Sequence, residues 1–237
     1  STPGAPQPQA TASPPPNLIL ILCDDLGYAD IGVQGAKHPT PNLDRMAAEG
    51  VRLTNFYSAA NVCTPTRASI MTGCYPRRVG LHENDHRNWV LFPGDRRGIH
   101  PDEITLAELL KTRGYATACI GKWHLGAQPI FSPTRHGFDA FFGIPYSNDM
   151  GRTERPNSTA PPLPLIRGET VIETEPDQRL LTRRCTEEAL SFLREHKDQP
   201  FFLYLPHIMP HWPQFASERF AGKSGNGRYG DAVTEID

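Results

Sequence analysis

Residues 17–25, NLILILCDD, decide how the rest of the chain is read. Five consecutive aliphatic residues, Leu18 to Leu22, follow an opening segment that carries no charged side chain. An unbroken apolar run of this length is expected of a strand buried on both faces. Two carboxylates, Asp24 and Asp25, come directly after it. In open α/β sheets ligands bind beyond the carboxyl ends of strands, so the first strand already points at a site. Outward from here, YATACIGKW (115–123) and PFFLYLPH (200–207) have the same construction. The second strand delivers Lys122 and His124 at its carboxyl end, and the third delivers His207 and His211.

Helical patterns separate these strands. TPNLDRMAAEG (40–50) places Thr40 as N-cap, Pro41 in the first helical position, Leu43, Met46 and Ala47 on one face, and Gly50 as terminator. TLAELLKTRGY (105–115) repeats the logic, with Thr105 as cap, Leu106, Leu109 and Leu110 inward, and Gly114 as stop. Residues 177–197 read as a long helix burying Leu181, Cys185, Ala189, Phe192 and Leu193. Strands alternating with helices predict an α/β fold, a mainly parallel or mixed sheet sandwiched by helices. That domain is expected to occupy 17–237, behind a Pro-rich flexible tail over 1–16, with a long surface loop over 146–175.

The bulk properties fit one large domain of 237 residues. A net charge of −2 gives no reason to expect nucleic acid or an anionic membrane as partner. No apolar run approaches the ~20 residues of a membrane span. No signal peptide is visible, and a chain opening on Ser1 rather than Met fits prior processing. The five cysteines (Cys23, Cys63, Cys74, Cys119, Cys185) are too few and scattered for a disulfide scaffold, and no C-x-x-C pair suggests zinc.

Several clusters carry chemistry. Asp24 and Asp25 repel each other unless a cation is bound, and their hard oxygens suit Ca²⁺, or less well Mg²⁺; a turn or N-cap pair is the alternative. In GKWHLG (121–126), Lys122 and His124 share one face of extended chain, which suits an anionic substrate. Gly121 and Gly126 suggest close backbone approach. In HIMPHWP (207–213) prolines hold His211 rigid, whereas His207 fits a structural role as well. NVCTPTRASIMTG (61–73) places Cys63 near a helix start expected at Pro65, with Arg67 one turn on. A capped helix with a buried cysteine and a thiolate activated by Arg67 are both compatible with this pattern.

CTPTRASIMTG, LCDDLGYADIG, GKWHLG, HGFDAFFG, PHWPQF and RYGDAVTEID together resemble the type I sulfatases, in that family's order and over residues 17–237. The likeness is strongest to the branch of arylsulfatase A and N-acetylgalactosamine-6-sulfatase. It implies that Cys63 is oxidised by a formylglycine-generating enzyme to Cα-formylglycine (3-oxoalanine), whose aldehyde hydrate is the nucleophile. One hydroxyl of the hydrate attacks sulfur and expels the alcohol, and deprotonation of the other ejects sulfate. By the same likeness Asp24, Asp25 and the hydrate at position 63 are metal ligands for Ca²⁺. Arg67 and Lys122 hold hydrate and sulfate charge, His124 is the base, and His211 contacts sulfate or protonates the leaving oxygen. Ser147 matches a sulfate-contacting serine.

In the family a further Asp-Asn metal pair and a catalytic lysine lie beyond the point matching Asp237. The chain is therefore expected to be the amino-terminal portion of a sulfatase: truncated, one part of a processed enzyme whose carboxy-terminal chain completes the site, or a longer protein of which the remainder is missing. Alone it is expected to have little or no activity, and robust turnover by the pure formylglycine-bearing chain would overturn that. A phosphonate or phosphate ester hydrolase of the same superfamily, and a non-catalytic portion that binds sulfated ligands or pairs with another chain, are the alternatives. The resemblance implies a sulfated small molecule or glycan as substrate. It also implies a periplasmic or secreted location in bacteria, or a lysosomal or secretory one in eukaryotes.

Overall fold

The computed structural model describes residues 15–153 and 159–237. Most of the expected tail, residues 1–14, lies outside the described residues. At its end, the Pro16 carbonyl accepts a hydrogen bond from the Tyr115 hydroxyl at 2.8 Å.

Six strands form one mixed sheet: β1 (Leu18–Leu22), β2 (Ala116–Lys122), β3 (Ala140–Ile144), β4 (Pro164–Arg167), β5 (Thr170–Thr174) and β6 (Phe201–Pro206). Their spatial order is β1-β6-β2-β3-β4-β5. The first four neighbours run parallel, and β4 and β5 add antiparallel. The helices are α1 (Pro41–Glu49), α2 (Cys63–Thr72), α3 (Leu106–Lys111), α4 (Leu181–Glu195) and α5 (Gly227–Ile236). Period-two alternation in β6 divides the core into two layers. Leu203 and Leu205 face Leu181, Cys185, Ala189 and Phe192 of α4 and Ala232 of α5. Phe202 and Tyr204 face Ala68 and Met71 of α2 and Ala107 of α3. The sheet is thus sandwiched by helices, as the strand–helix alternation predicts.

The carboxyl ends of the central strands come unusually close. Gly121 has φ +134°, and a Cβ there would collide with the Pro206 carbonyl of β6. A Cβ on Gly126 would strike the Phe131 ring, so both glycines mark the close approach expected of them. The Thr105 cap is also as expected: its hydroxyl accepts from Glu108 N–H at 3.2 Å while Glu108 accepts from Thr105 N–H at 2.7 Å.

Elsewhere the structure corrects the sequence. β1 is not buried on both faces: Ile19 is 50% and Ile21 45% exposed. It sits at the sheet edge with β6 as its neighbour, so a pattern that signals a central strand belongs to an edge. α1 buries no side chain fully, and Met46 is 57% exposed. Thr40 holds the N-cap position as expected, but its hydroxyl is taken by Gly32 N–H (2.7 Å) and Asp44 (3.1 Å) and makes no capping bond. The Asp237 carboxylate caps α1 instead, accepting from Leu43 N–H at 2.7 Å and Asn42 N–H at 3.1 Å. The supposed loop over 146–175 contains the β4–β5 hairpin, closed through Gly168 at φ +60°. Asp177 caps a short 3₁₀ turn, Gln178–Leu180, ahead of α4.

Candidate active site

Cys63 itself opens α2, two residues before the Pro65 start that the sequence suggested. Val62 is extended (φ −139°, ψ 162°), so the chain turns sharply into the helix at the cysteine. The turn is anchored from both sides. Thr64 accepts from Leu91 N–H at 3.1 Å, and Thr66 donates to the Ala60 carbonyl at 2.7 Å. Thr64, Pro65 and Arg67 are buried.

Arg67 and Lys122, both fully buried, meet at Asp24. Arg67 lies 3.2 Å from one carboxylate oxygen and Lys122 Nζ 2.5 Å from the other. Arg67 also donates to the backbone carbonyl of Lys122. The Lys122 ammonium then reaches two more groups, Cys63 Sγ at 3.3 Å and Ser147 Oγ at 2.9 Å. Ser147 continues to His211 Nε2 at 3.3 Å, and His211 Nε2 lies 3.7 Å from Asp25. One connected set therefore holds Asp24, Asp25, Cys63, Arg67, Lys122, Ser147 and His211. Asp24, Cys63 and His211 each place a ligand atom within 4.8 Å of the others. A cavity of about 290 Å³ opens onto this set, lined by Asp24, Asp25, Cys63, Thr66 and Arg67.

Burial raises the Asp24 carboxyl, but Lys122 and Arg67 overcome it and hold it well below the usual carboxylate range. Asp24 is thus an anion at any working pH. The Cys63 thiol goes the other way. Its burial pushes it up, and the pull of Lys122 and Arg67 does not cancel that. This argues against the thiolate reading of NVCTPTR: an unmodified Cys63 keeps its proton.

His124 is fully buried at φ +59°, a backbone region that is costly for a non-glycine residue. Its Nε2 lies 2.8 Å from the Leu91 carbonyl. A carbonyl only accepts, so Nε2 carries the proton and Nδ1 presents a lone pair. That Nδ1 is buried without a partner among the described residues. Burial, with Lys122 and Arg67 nearby, keeps the ring neutral far below the usual histidine range. His211 shows the opposite arrangement: Nδ1 lies 2.5 Å from the Trp212 carbonyl and must donate, so Nε2 faces Ser147.

His207 stands apart. It is buried, its backbone N–H bonds Leu22 O at 2.7 Å, and burial lowers its pKa to about 4. Its side chain joins none of the site's contacts among the described residues. Tyr204, buried on β6 beside Arg67, belongs to the site's surroundings and escaped the sequence reading. Its place in FFLYLP is that of an ordinary core aromatic, so no sequence signal distinguished it.

The donor set tests what the site can hold. The ligand atoms that gather are a hard carboxylate (Asp24), a soft thiol (Cys63) and a borderline imidazole (His211), while exposed Asp25 lies outside that trio, 3.7 Å from His211. The two carboxylates suit Ca²⁺ and the thiol does not, so an oxygen at position 63 would fit that ion better.

The sequence profile of the sulfatase family matches residues 16–237. Arylsulfatase A of Bos taurus is 42% identical over 246 residues, which covers 95% of this chain and 47% of that protein. N-acetylgalactosamine-6-sulfatase of Homo sapiens is 43% identical over 247 residues, 99% of this chain and 45% of that protein. The chain thus spans about half the length of the curated relatives it matches. Among solved structures, the PsFucS1 sulfatase from Pseudoalteromonas sp. superposes with a TM-score of 0.79 at 29% identity, over 93% of this chain and 49% of that one.

Proposed function

The chain belongs to the sulfatase family, and from that premise we propose that its site hydrolyses sulfate esters through residue 63, converted from cysteine to formylglycine, beside a bound calcium ion. The observation that carries this reading is the convergence of Lys122 on Asp24, Cys63 and Ser147, with His211 beyond. When formed, the aldehyde supplies a hydrated carbonyl as nucleophile, which the thiol's raised pKa disqualifies Cys63 from being. When bound, the cation supplies positive charge for the sulfate oxygens, held by Asp24, Asp25 and the oxygen of residue 63.

The chain's own residues perform the remaining work. Lys122 and Arg67 are fixed cations whose positions are locked by Asp24, so they meet developing sulfate charge without reorganising. His124 offers Nδ1 as the proton acceptor, since its other nitrogen is committed to Leu91, and burial beside Lys122 and Arg67 makes it a weak one. His211 delivers or receives a proton at Nε2 toward the leaving oxygen, and Ser147 orients it through a hydrogen bond backed by Lys122.

The test joins chemistry to turnover. Mass spectrometry of the peptide spanning 61–73 is expected to show a mass loss at Cys63, where ordinary thiol oxidation gives gains. A Cys63→Ala variant of the full-length enzyme is expected to lose turnover of a nitrophenyl sulfate by roughly a thousandfold or more. An intact thiol in an enzyme that still turns over would overturn the reading. Faster cleavage of the matching phosphate ester would move the activity to phosphate chemistry. The periplasmic, secreted or lysosomal location expected from the family remains part of this proposal, and no helix among the described residues is long and apolar enough to cross a membrane.

A further inference from the structure

Next to Ser147, Asn148 opens the 3₁₀ turn Asn148–Met150, and its side chain is fully buried. Its Nδ2 donates to Gln178 Oε1 at 2.9 Å and to the Pro213 carbonyl at 3.2 Å. A carbonyl only accepts, so the amide nitrogen must face Pro213, and both of its protons are used. Gln178, itself buried, returns a bond from Nε2 to the Asn148 carbonyl at 3.4 Å. It belongs to the 3₁₀ turn that runs directly into α4, whose Leu181 is fully buried.

Two rungs therefore join the same pair of loops. Ser147 reaches His211 Nε2 at 3.3 Å, and its neighbour Asn148 reaches Pro213, two residues beyond His211. The first rung pivots easily, because a serine hydroxyl rotates and this one is shared with Lys122. The second is a planar amide held at both protons and anchored through Gln178 to α4. Between His211 and Pro213, Trp212 is 58% exposed and gives the loop little packing of its own. Stability alone does not ask for this arrangement. Asn148 Oδ1 is buried with no partner among the described residues, and an unmet acceptor is a cost. What the network supplies is a fixed geometry.

Building on the proposed hydrolysis, we infer that Asn148 and Gln178 are positioning residues for His211, bracing its loop at the distance from Ser147 at which Nε2 meets the leaving oxygen. Neither touches the reacting atoms. Their effect is on proton delivery, where a misplacement of about 1 Å costs on the order of a hundredfold. They matter most for esters whose leaving oxygen needs a proton.

Gln178→Met keeps the side-chain volume and removes the acceptor, while Asn148→Ala removes both donors. Circular dichroism and thermal unfolding check the fold of each, and Gln178→Met decides alone should Asn148→Ala not accumulate. In the full-length enzyme, kcat is compared on phenyl sulfate, whose leaving oxygen needs a proton, and on nitrophenyl sulfate, whose leaving oxygen departs as an anion. Both variants are expected to lose at least about tenfold on phenyl sulfate and no more than about threefold on nitrophenyl sulfate, with KM little changed, following the pattern of His211→Ala. A readout free of turnover is the rate at which diethyl pyrocarbonate modifies His211, followed by peptide mass spectrometry. That rate should rise at least about threefold once the loop is released. If His211→Ala discriminates between the esters and the bracing variants do not, the positioning role is overturned. If His211→Ala does not discriminate either, proton delivery by His211 fails, and the modification rate decides: raised, it keeps the brace, and unmoved, it sinks the brace as well.

Discussion

At the scale of single residues, Lys122 ties the site together, because one ammonium serves Asp24, Cys63 and Ser147. Lys122→Ala is expected to cut kcat/KM on sulfate esters by at least about a hundredfold. Removing one partner of a buried pair should also cost roughly 3 kcal/mol of stability, although Arg67 continues to compensate Asp24. Thermal unfolding and steady-state kinetics read the two effects separately. His207 allows a cleaner test of burial. Its folded pKa of about 4 lies below its ordinary 6.5, so the unfolded state takes the proton first. Its contribution to stability is intact above pH 6.5 and is lost as pH falls toward about 4. At about 1.4 kcal/mol per unit, wild-type protein should lose about 2 kcal/mol from this group between pH 7 and pH 5. Denaturant titrations of His207→Gln should show a shallower loss, with a remaining slope from buried His124, whose pKa is lowered in the same direction. The site residues were mostly legible in the sequence, since Asp24, Lys122 and His211 follow strands directly. Nδ1 of His124 was not legible as a base, because its tautomer depends on Leu91, thirty-three positions away.

At the scale of elements, the close approach of β2 and β6 rests on Gly121. Gly121→Ala adds a Cβ against the Pro206 carbonyl at a φ that L-residues avoid, and the obstacle is backbone rather than a movable side chain. The variant should be destabilised by roughly 3–4 kcal/mol in chemical denaturation, or fail to accumulate. The α1 cap predicts a smaller effect: Asp237→Ala should cost about 1 kcal/mol, with no change at the active site. Local patterns located helices well where capping was local, as at Thr105 and Glu108. They located α1 equally well, between Thr40 and Gly50, and missed only its capping carboxylate, which comes from Asp237 far along the chain. The hairpin of β4 and β5 was hidden because PLIR and TVIET are short, and the Pro- and Arg-rich stretch before them reads as loop.

At the scale of the whole molecule, alternating strands and helices were enough to specify a sandwiched sheet, but not the strand order. An apolar run looks the same in a central strand as at an edge, and only the arrangement of the other strands places LILIL outermost. The start of α2 carries a consequence of its own. Thr64, Pro65 and Arg67 are packed away once the helix has formed. If residue 63 is converted as proposed, an enzyme that reads CTPTR would need this backbone free, and conversion would have to precede closure of the helix. On that proposal maturation is a race between two rates, and a chain that folds first would keep its thiol.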